Sequence, residues 1–367
     1  MVTRLVVCCD GTWNTPDQKV GAFPRRTNVT KLALSVPASD AAGARQCVYY
    51  HPGVGTSRWD HIRGGAFGAG LSANVLDAYQ FLIDNYEDGD ELWFFGFSRG
   101  AYTARSVAGL VRNCGILRQQ NLNRMSQAYA LYRSRAESPR GTASTLFRHA
   151  YSYEPRVRFI GVWDTVGALG IPVPTTRALQ KVVSSFNRRW AFHDTALSTH
   201  VDGAFHALAI DEKRKAFAPT LWTQQPGAGS QVLEQVWFSG VHSDVGGGYA
   251  ESGLSDIALL WMMAKARDFG LDVTEPPTGA GHGTDVSPGE SAEIEVAANA
   301  MAPLHESRKS FYRLVKPFYR PIGMTDTGHE LLSSTAATRN ADDPDHYHPD
   351  NLTTYLDTNA GGRIVHV

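Results

Sequence analysis

The sequence LWFFGFSRGAYTAR occupies residues 92–105 and joins an apolar run to a helical pattern. Residues 92–97 are almost continuously apolar, which is typical of a strand buried on both faces of a sheet. Because the helical pattern follows at once, the chain must turn sharply at Ser98. Gly96 and Gly100 flank this turn in the pattern G-x-S-x-G, and their small size lets strand and helix approach closely. The stretch predicts either a nucleophilic serine at a strand end or an ordinary structural turn.

Similar apolar runs of strand length recur between helical patterns along the chain. The five others span residues 5–9, 48–51, 157–163, 205–209 and 232–238. Helical patterns span residues 72–86, 101–113 and 256–269. Ser255 is the expected N-cap of the last helix, and Gly270 its expected stop. The alternation predicts an α/β fold with a doubly wound, mostly parallel sheet, formed by one domain over residues 1–367.

Three stretches do not fit this alternation of strands and helices. Residues 119–149 and 171–200 are helical in pattern, so we expect helical lid or cap insertions there. Within residues 171–200, four basic residues against one acidic residue give a charge of +3. A basic amphipathic helix suits a lid or a lipid surface, but a helix that packs on the core has the same pattern. Residues 272–293 are rich in proline and glycine and predict a surface loop.

A nucleophilic serine needs a base, and the base needs an orienting carboxylate. In α/β-hydrolase sheets these residues follow strands in the order serine, acid, histidine. Asp164 directly follows the run at 157–163, and His242 follows the run at 232–238 within a glycine-rich turn. An alternative role for Asp164 is to cap the next turn. With Ser98, these two residues are the predicted catalytic set.

Other residues compete for the roles of base and acid. His305, which we expect in a helical region, is the second candidate base. Asp244 lies two residues after His242 and is either a supporting group or the orienting acid. His206 lies inside a predicted strand, where a histidine with its hydrogen bonds satisfied in the core is expected.

The anionic intermediate of such a reaction needs N–H donors, which form an oxyanion hole. The first candidate donor is the amide of Arg99, directly after the nucleophile. The second is an amide of Gly11 or Thr12 in the loop after the first strand, which Asp10 or Asn14 would brace. An ordinary Asp-Gly turn has the same sequence, so the sequence is compatible with both interpretations.

Composition and motif spacing exclude several classes of partner and cofactor. The chain has 35 basic and 36 acidic residues, a net charge of −1, so it has no general attraction for nucleic acid. The glycine-rich residues 64–70 follow no strand and precede no Lys-Ser/Thr pair, so we expect no nucleotide site. The acidic, histidine-containing residues 342–348 match no established metal site and predict a solvated loop. We therefore expect neither a metal nor an organic cofactor.

Cysteine usage and hydropathy bear on the compartment. The four cysteines show no CxxC spacing, which predicts buried free thiols; they are Cys8, Cys9, Cys47 and Cys114. No apolar run approaches the about 20 residues that crossing a bilayer requires. The N-terminus begins as a strand rather than as a signal peptide. From these features we expect a cytoplasmic location.

Five motifs occur in order along most of the chain. They are CDGTWN at 9–14, GVGT at 53–56, GFSRGAYTAR at 96–105, VWDTVG at 162–167 and GVHSDVGGGY at 240–249. This set resembles the uncharacterised α/β-hydrolase domain family that includes type VI secretion phospholipase effectors. The resemblance implies an esterase or lipase whose Ser-Asp-His triad maps onto Ser98, Asp164 and His242. It also implies a lipid or ester substrate and leaves room for delivery by a secretion machine. The basic stretch at 171–200 separately leaves room for transient contact with a membrane surface.

The sequence thus predicts a serine hydrolase that cleaves carboxylic esters, foremost the acyl esters of phospholipids or other lipids. One alternative is a carboxylesterase or thioesterase for small soluble substrates. Another is a binding module without catalytic activity on a hydrolase scaffold.

Overall fold

In the described part of the chain, eight parallel strands form the central sheet. The structure is a computed structural model and describes residues 2–11, 19–20, 23–53, 66–134, 136–167, 195–274, 294, 296–325, 328–358 and 362–367. The strands are β1 Arg4–Cys9, β2 Gln46–His51, β3 Glu91–Phe97, β4 Val157–Trp163, β5 Val201–Ala209, β6 Val232–Phe238, β7 Glu330–Ser333 and β8 Ile364–Val365. Their order across the sheet is β8-β7-β6-β5-β4-β3-β1-β2, with every neighbouring pair parallel.

Helices cover both faces of this sheet. They are α1 Asn28–Ser35, α2 Ala66–Asn85, α3 Arg99–Cys114, α4 Met125–Arg133, α5 Thr142–Tyr151, α6 His242–Gly246, α7 Gly253–Asp268, α8 Ser334–Asp342 and α9 Asp350–Thr358. Short 3₁₀ helices span Gln119–Arg124, Lys215–Phe217 and Ser310–Leu314. Short strand pairs join Lys19–Val20 to Phe23–Pro24, Ile116–Leu117 to Ser152–Tyr153, and Ala196–Leu197 to Thr223–Gln224.

The core is divided by the sheet into two main layers. Residues of α2 and α3 pack with one face of the strands, and residues of α1 and α7 pack with the other. Successive side chains of a strand point to opposite faces of the sheet, as Cys8 and Cys9 of β1 show: both are buried, but they belong to opposite layers. A third cluster joins α8 and α9 to β6 around Trp237. This arrangement is the predicted α/β-hydrolase fold, with a sheet wound on both faces.

The strand register brings the carboxyl ends of the central strands together. Cys9 at the end of β1 lies opposite Gly96 of β3, and Phe97 of β3 lies opposite Trp163 of β4. Trp163 in turn lies opposite Ala207 of β5. Because the strands are parallel, the loops that follow them begin at one edge of the sheet, where ligand sites of open α/β sheets lie.

The structure confirms the six predicted strands and corrects details around them. Helix α7 begins at Gly253 with Ser252 as its N-cap, so the prediction of Ser255 as the N-cap is wrong. The hydroxyl of Ser255 instead donates to the carbonyl of Ser252 within the helix. Residues 296–309, which contain His305, form no helix. Strands β7 and β8 and helices α1, α6, α8 and α9 have no counterpart in the sequence prediction, which places His242 in a glycine-rich turn rather than at the start of α6.

The predicted insertions are described only in part. The described part of residues 119–149 contains the 3₁₀ helix Gln119–Arg124, helix α4 and most of helix α5. These helices pack on the core layer that contains α3. Of the predicted insertion at 171–200, residues 171–194 lie outside the described residues, as do residues 275–293 of the predicted loop. Cys47 is partly exposed, whereas the other three cysteines are buried, and all four are free thiols. Among the described helices, none is both long and apolar enough to cross a membrane.

Candidate active site

Ser98 lies at the turn between β3 and α3. Its backbone has φ +58° and ψ −119°, a conformation that is rare outside glycine. The amide of Ser98 donates to the carbonyl of Trp163 at 3.0 Å, which fastens the turn to the neighbouring strand. A Cβ on Gly96 would lie 2.6 Å from Cα of Ala101, and a Cβ on Gly100 would collide with backbone of the β1 end. The two glycines are therefore required for this strand to turn into this helix.

A chain of hydrogen bonds links Ser98 to His242 and His242 to Asp164. Nε2 of His242 lies 2.8 Å from Oγ of Ser98, and Nδ1 lies 2.5 Å from Oδ2 of Asp164. Asp164 directly follows β4 with φ +41°, and its amide donates to the carbonyl of Ala207 at 2.7 Å. All three side chains are buried. The structure thus brings together the three residues that the sequence places at separate strand ends.

Two aromatic rings fix the imidazole of His242 in place. The ring of Phe97 lies 4.6 Å from it between centroids, and the ring of Phe217 meets it edge-on at 5.0 Å. Burial lowers the pKa of His242, while the hydrogen bond and the charge of Asp164 raise it in part. Because the net shift is downward, the imidazole is mainly neutral near pH 7 and can accept a proton.

Arg320 holds both carboxylate oxygens of Asp164, and sequence reasoning missed it. Its Nη1 donates to Oδ1 of Asp164 at 2.6 Å, and its Nη2 donates to Oδ2 at 2.9 Å. The same guanidinium also donates to the carbonyls of Ala209 and Phe217. Burial alone would raise the pKa of Asp164, but the charges and hydrogen bonds of Arg320 and His242 outweigh it. The pKa is held well below its usual range, so Asp164 is ionised.

Glu212 is a second buried carboxylate beside the histidine. Glu212 accepts a hydrogen bond from the backbone amide of His242 at 3.4 Å. It also forms a two-point ion pair with the guanidinium of Arg214, in which both N–O distances are 2.8 Å. The hydroxyl of Ser307 donates to it at 3.1 Å. Since its charge is matched by Arg214, Glu212 secures the start of α6 without a bond to the imidazole.

The loop after β1 is braced as predicted for Asp10, but the role of Gly11 differs. Oδ2 of Asp10 accepts hydrogen bonds from the hydroxyls of Thr27, Thr30 and Tyr50 at 2.5 to 2.9 Å. Its Oδ1 accepts the amide of Gly11 at 2.6 Å, so this N–H is directed at Asp10. Burial raises the pKa of Asp10, and these hydrogen bonds oppose the rise. The predicted donor Thr12 lies outside the described residues.

The amide of Arg99 is the first of α3. An amide at this position has no acceptor within its own helix, and the helix dipole favours negative charge there. It follows Ser98 directly, in the place where an oxyanion donor is expected.

His305 and Asp244 pair with each other instead of entering the Ser98 chain. Nδ1 of His305 lies 2.6 Å from Oδ1 of Asp244, and Nε2 lies 3.3 Å from Glu251. The other oxygen of Asp244 accepts the amide of Val241 at 3.0 Å. The ring of His305 stacks on Tyr249 at 3.9 Å between centroids. His206 is buried in β5, where its Nε2 accepts the amide of Thr165 at 3.0 Å and its Nδ1 has no hydrogen-bond partner among the described residues.

Comparison with known protein families identifies the family of the chain. A family model described as "T6SS, Phospholipase effector Tle1-like, catalytic domain" matches residues 3–265. The chain belongs to this family. The match confirms the resemblance inferred from the five motifs, and it places the chain in a family described as phospholipase effectors. Ser98, Asp164 and His242 lie within the matched residues of the Tle1-like domain, whereas Arg320 lies beyond them.

Individual relatives of this Tle1-like chain are more distant. The uncharacterized protein YEL023C of Saccharomyces cerevisiae is 27% identical over 247 residues, which cover 61% of this chain and 33% of that protein. A solved structure of an uncharacterized protein from Pseudomonas aeruginosa has a TM-score of 0.47 and 19% identity, and it covers 75% of this chain and 47% of that one. The Tle1 effector bound to the VgrG spike has a TM-score of 0.37 and 19% identity, over 68% of this chain and 51% of that one. The chain therefore spans about a third to a half of the length of these relatives.

Proposed function

We propose that the chain is a serine hydrolase of carboxylic esters in which Ser98 is the nucleophile, His242 the base and Asp164 the orienting acid. The observation that carries the proposal is the unbroken hydrogen-bonded chain from Oγ of Ser98 through both ring nitrogens of His242 to Asp164. His305 is the weaker candidate for the base because its ring nitrogens face Asp244 and Glu251.

The acylation step uses these three residues in turn. In the neutral imidazole, Nδ1–H donates to Asp164, so Nε2 is free to accept the proton of the Ser98 hydroxyl. Oγ of Ser98 attacks the ester carbonyl as its proton passes to Nε2, and Asp164 stabilises the imidazolium that forms. When the tetrahedral intermediate collapses, Nε2 returns the proton to the leaving alcohol.

Deacylation repeats the same proton transfers with water. His242 takes a proton from a water molecule that attacks the acyl-enzyme, then returns it to Oγ of Ser98 as the carboxylic acid leaves. The ionised state of Asp164, which Arg320 secures, keeps the imidazole in the required tautomer throughout the cycle.

The anionic intermediate is stabilised by donors at the edge of the sheet. We assign one donor to the amide of Arg99, at the start of α3. The second falls to the loop that begins at Gly11. Because the amide of Gly11 is already bonded to Asp10, the following amide, that of Thr12, is the better candidate.

The substrate class follows from the family. The Tle1-like family model is described as a phospholipase effector domain, which supports the acyl esters of phospholipids or other lipids over small soluble esters. The same description supports delivery by a type VI secretion machine, which comparison of export with and without that machine would test.

The mechanism is tested by replacing the nucleophile. Purified Ser98→Ala should lose hydrolysis of p-nitrophenyl butyrate and labelling by a fluorophosphonate probe, while Ser138→Ala, at an exposed position between α4 and α5, should retain both. Undiminished hydrolysis by a folded Ser98→Ala protein would overturn the assignment.

The substrate class is tested on lipids directly. Mass spectrometry of products from a phospholipid panel should reveal free fatty acid and lysophospholipid in a Ser98-dependent manner. Turnover confined to short-chain esters below the micelle concentration would instead support the esterase alternative.

A further inference from the structure

Residues 308–324, here called the 308–324 segment, expose an unusual amount of apolar surface. Leu314 is 86% exposed, Met324 67%, Tyr319 47% and Val315 39%. These are four of the twelve large apolar side chains exposed among the described residues. Single exposed apolar side chains are normal on a soluble protein, but a concentration of four within residues 314–324 points to an interaction site.

The same segment is strongly basic. It contains Arg308, Lys309, Arg313, Lys316 and Arg320, and no Asp or Glu occurs anywhere from position 307 to position 325. Of the five basic residues, Lys309, Arg313 and Lys316 are exposed. Because the whole chain has a net charge of −1, this positive charge is a local feature.

The segment is closed on itself near its N-terminal end and is fixed to the domain further along, so its apolar side chains are held on a framework. At the N-terminal end, Arg308 donates to the carbonyl of Val315 at 2.6 Å and closes the turn. Further along, the amide of Phe318 donates to the carbonyl of Lys213 at 2.9 Å. At the C-terminal end, the amide of Gly323 donates to Glu330 at 2.9 Å.

This framework connects directly to the candidate active site. Arg320, within the segment, binds Asp164 and the carbonyl of Phe217. The guanidinium of Arg214 lies over the ring of Phe217 at 3.6 Å and over the ring of Tyr312 at 5.7 Å. Since Phe217 touches the imidazole of His242, the segment lies beside the Phe217 side of the site.

We propose that the 308–324 segment docks the chain on a bilayer of anionic phospholipid. Leu314, Val315, Tyr319 and Met324 enter the boundary between headgroups and acyl chains, and the exposed cations face lipid phosphates. A tyrosine among aliphatic side chains suits this boundary, because its ring is apolar and its hydroxyl stays wet. The inference deepens the proposed function, on which it rests, because docking here would bring a bilayer to the Phe217 side of the candidate active site.

Charge favours a bilayer over a second copy of the chain. In a two-fold dimer the same patch would face itself, which would bring like charges together without a carboxylate to pair them. An anionic bilayer offers the complementary charge and an apolar layer at once.

The experiment measures binding separately from hydrolysis. The full chain with Ser98→Ala is floated with vesicles of phosphatidylcholine and phosphatidylglycerol in equal amounts, and with vesicles of phosphatidylcholine alone. We expect binding to the mixed vesicles, weaker binding to the neutral ones, and weakening by salt. Each of Lys309→Ser, Arg313→Ser and Lys316→Ser should lower the partition coefficient about five-fold, and the triple variant on the order of a hundredfold.

A second pair of variants tests the apolar contribution. Leu314→Ser with Met324→Ser should lower partitioning about tenfold or more. Leu146→Ser is the matched apolar control, since Leu146 is 64% exposed on α5, and exposed Arg140→Ser is the matched charge control. Both controls should bind as the parent does. Circular dichroism and thermal unfolding establish that each variant is folded.

Several results would overturn the proposal. The first is that the Ser98→Ala protein does not bind the mixed vesicles, and the second is that it binds neutral vesicles equally well. The third is that the control variants lose as much binding as the variants in the 308–324 segment. A dimer seen by light scattering that the Leu314→Ser, Met324→Ser variant dissociates would assign the surface to self-association instead. Failure of the proposed function has a different signature: the parent and Ser98→Ala would hydrolyse p-nitrophenyl butyrate equally slowly, while vesicle binding persists.

Discussion

Arg320 and Asp164 form a two-point ion pair in which neither side chain is exposed to solvent. With His242 and the amide of Ala209, the guanidinium gives each carboxylate oxygen two hydrogen-bond partners. A buried charge pair is costly to form but also costly to break, because the surviving partner is left uncompensated. The candidate acid is thus locked in both position and charge.

Replacement of Arg320 should move the acid limb of the pH profile. Without the cation, the charge of Asp164 is compensated by His242 alone, so the pKa of His242 rises. Since His242 must be neutral to act as the base, the acid limb of kcat/KM in Arg320→Met should lie at higher pH than in the parent. Arg320→Lys should show a smaller shift. The measurement is kcat/KM for p-nitrophenyl butyrate across pH 4–9.

Arg339→Lys is the matched control for this experiment. Arg339 is also buried, but it donates to the carbonyls of Ala300 and Ala302 rather than to a carboxylate. Its replacement should leave the acid limb in place. An acid limb that is the same in the parent and in Arg320→Met, with only the unfolding temperature lowered, would make Arg320 structural rather than a positioning residue.

The two histidines should respond differently to alanine. His242→Ala removes the proposed base and should lower kcat by about 10⁴-fold or more. His305→Ala leaves the Ser98 chain intact but removes a partner of buried Asp244, so we expect a loss of about 1–3 kcal/mol of stability with kcat within tenfold of the parent. Steady-state kinetics and urea unfolding separate the two effects. The reverse pattern of activity would reassign the base to His305.

The candidate catalytic set could be predicted because its residues follow long, apolar strands. Ser98, Asp164 and His242 each lie at or just beyond such a strand, and a parallel sheet brings carboxyl ends to one edge. The number of residues between these three positions does not by itself indicate that they lie close together. Strand pattern and topology therefore sufficed for this part of the site.

Arg320 could not be found in the same way. It lies 156 residues from Asp164, in a segment without helical or strand periodicity. The nearby strands β7 and β8 have four and two residues, too short for a pattern to emerge. The one local signal is that Arg320 is a basic residue within the aromatic and apolar stretch KPFYRPIGM at 316–324. That signal does not indicate that Asp164 is the partner of Arg320.

A side chain at Gly100 should disrupt the serine turn. The Cβ of Gly100→Ala would meet the backbone carbonyls of Cys9 and Asp10, which belong to the sheet and its loop and cannot move aside cheaply. We expect a loss of about 1–3 kcal/mol in unfolding free energy, with reduced kcat. At Gly167 a Cβ has no atom within 4 Å in the described part of the chain, so Gly167→Ala should be nearly neutral. Equal unfolding midpoints in urea for the two variants would contradict the packing argument.

Asp10 should support catalysis through the loop that it holds. Asp10→Ala removes the acceptor of the Gly11 amide and of three hydroxyls, so the loop proposed to carry the second oxyanion donor loses its anchor. We expect kcat to fall about 100-fold while KM changes little, because the oxyanion develops only in the transition state. Thr30→Val removes one hydroxyl donor to Asp10 but leaves the Gly11 bond, so its kcat should stay near that of the parent. If Asp10→Ala lowers the unfolding temperature but leaves kcat unchanged, the carboxylate only stabilises the fold around α1.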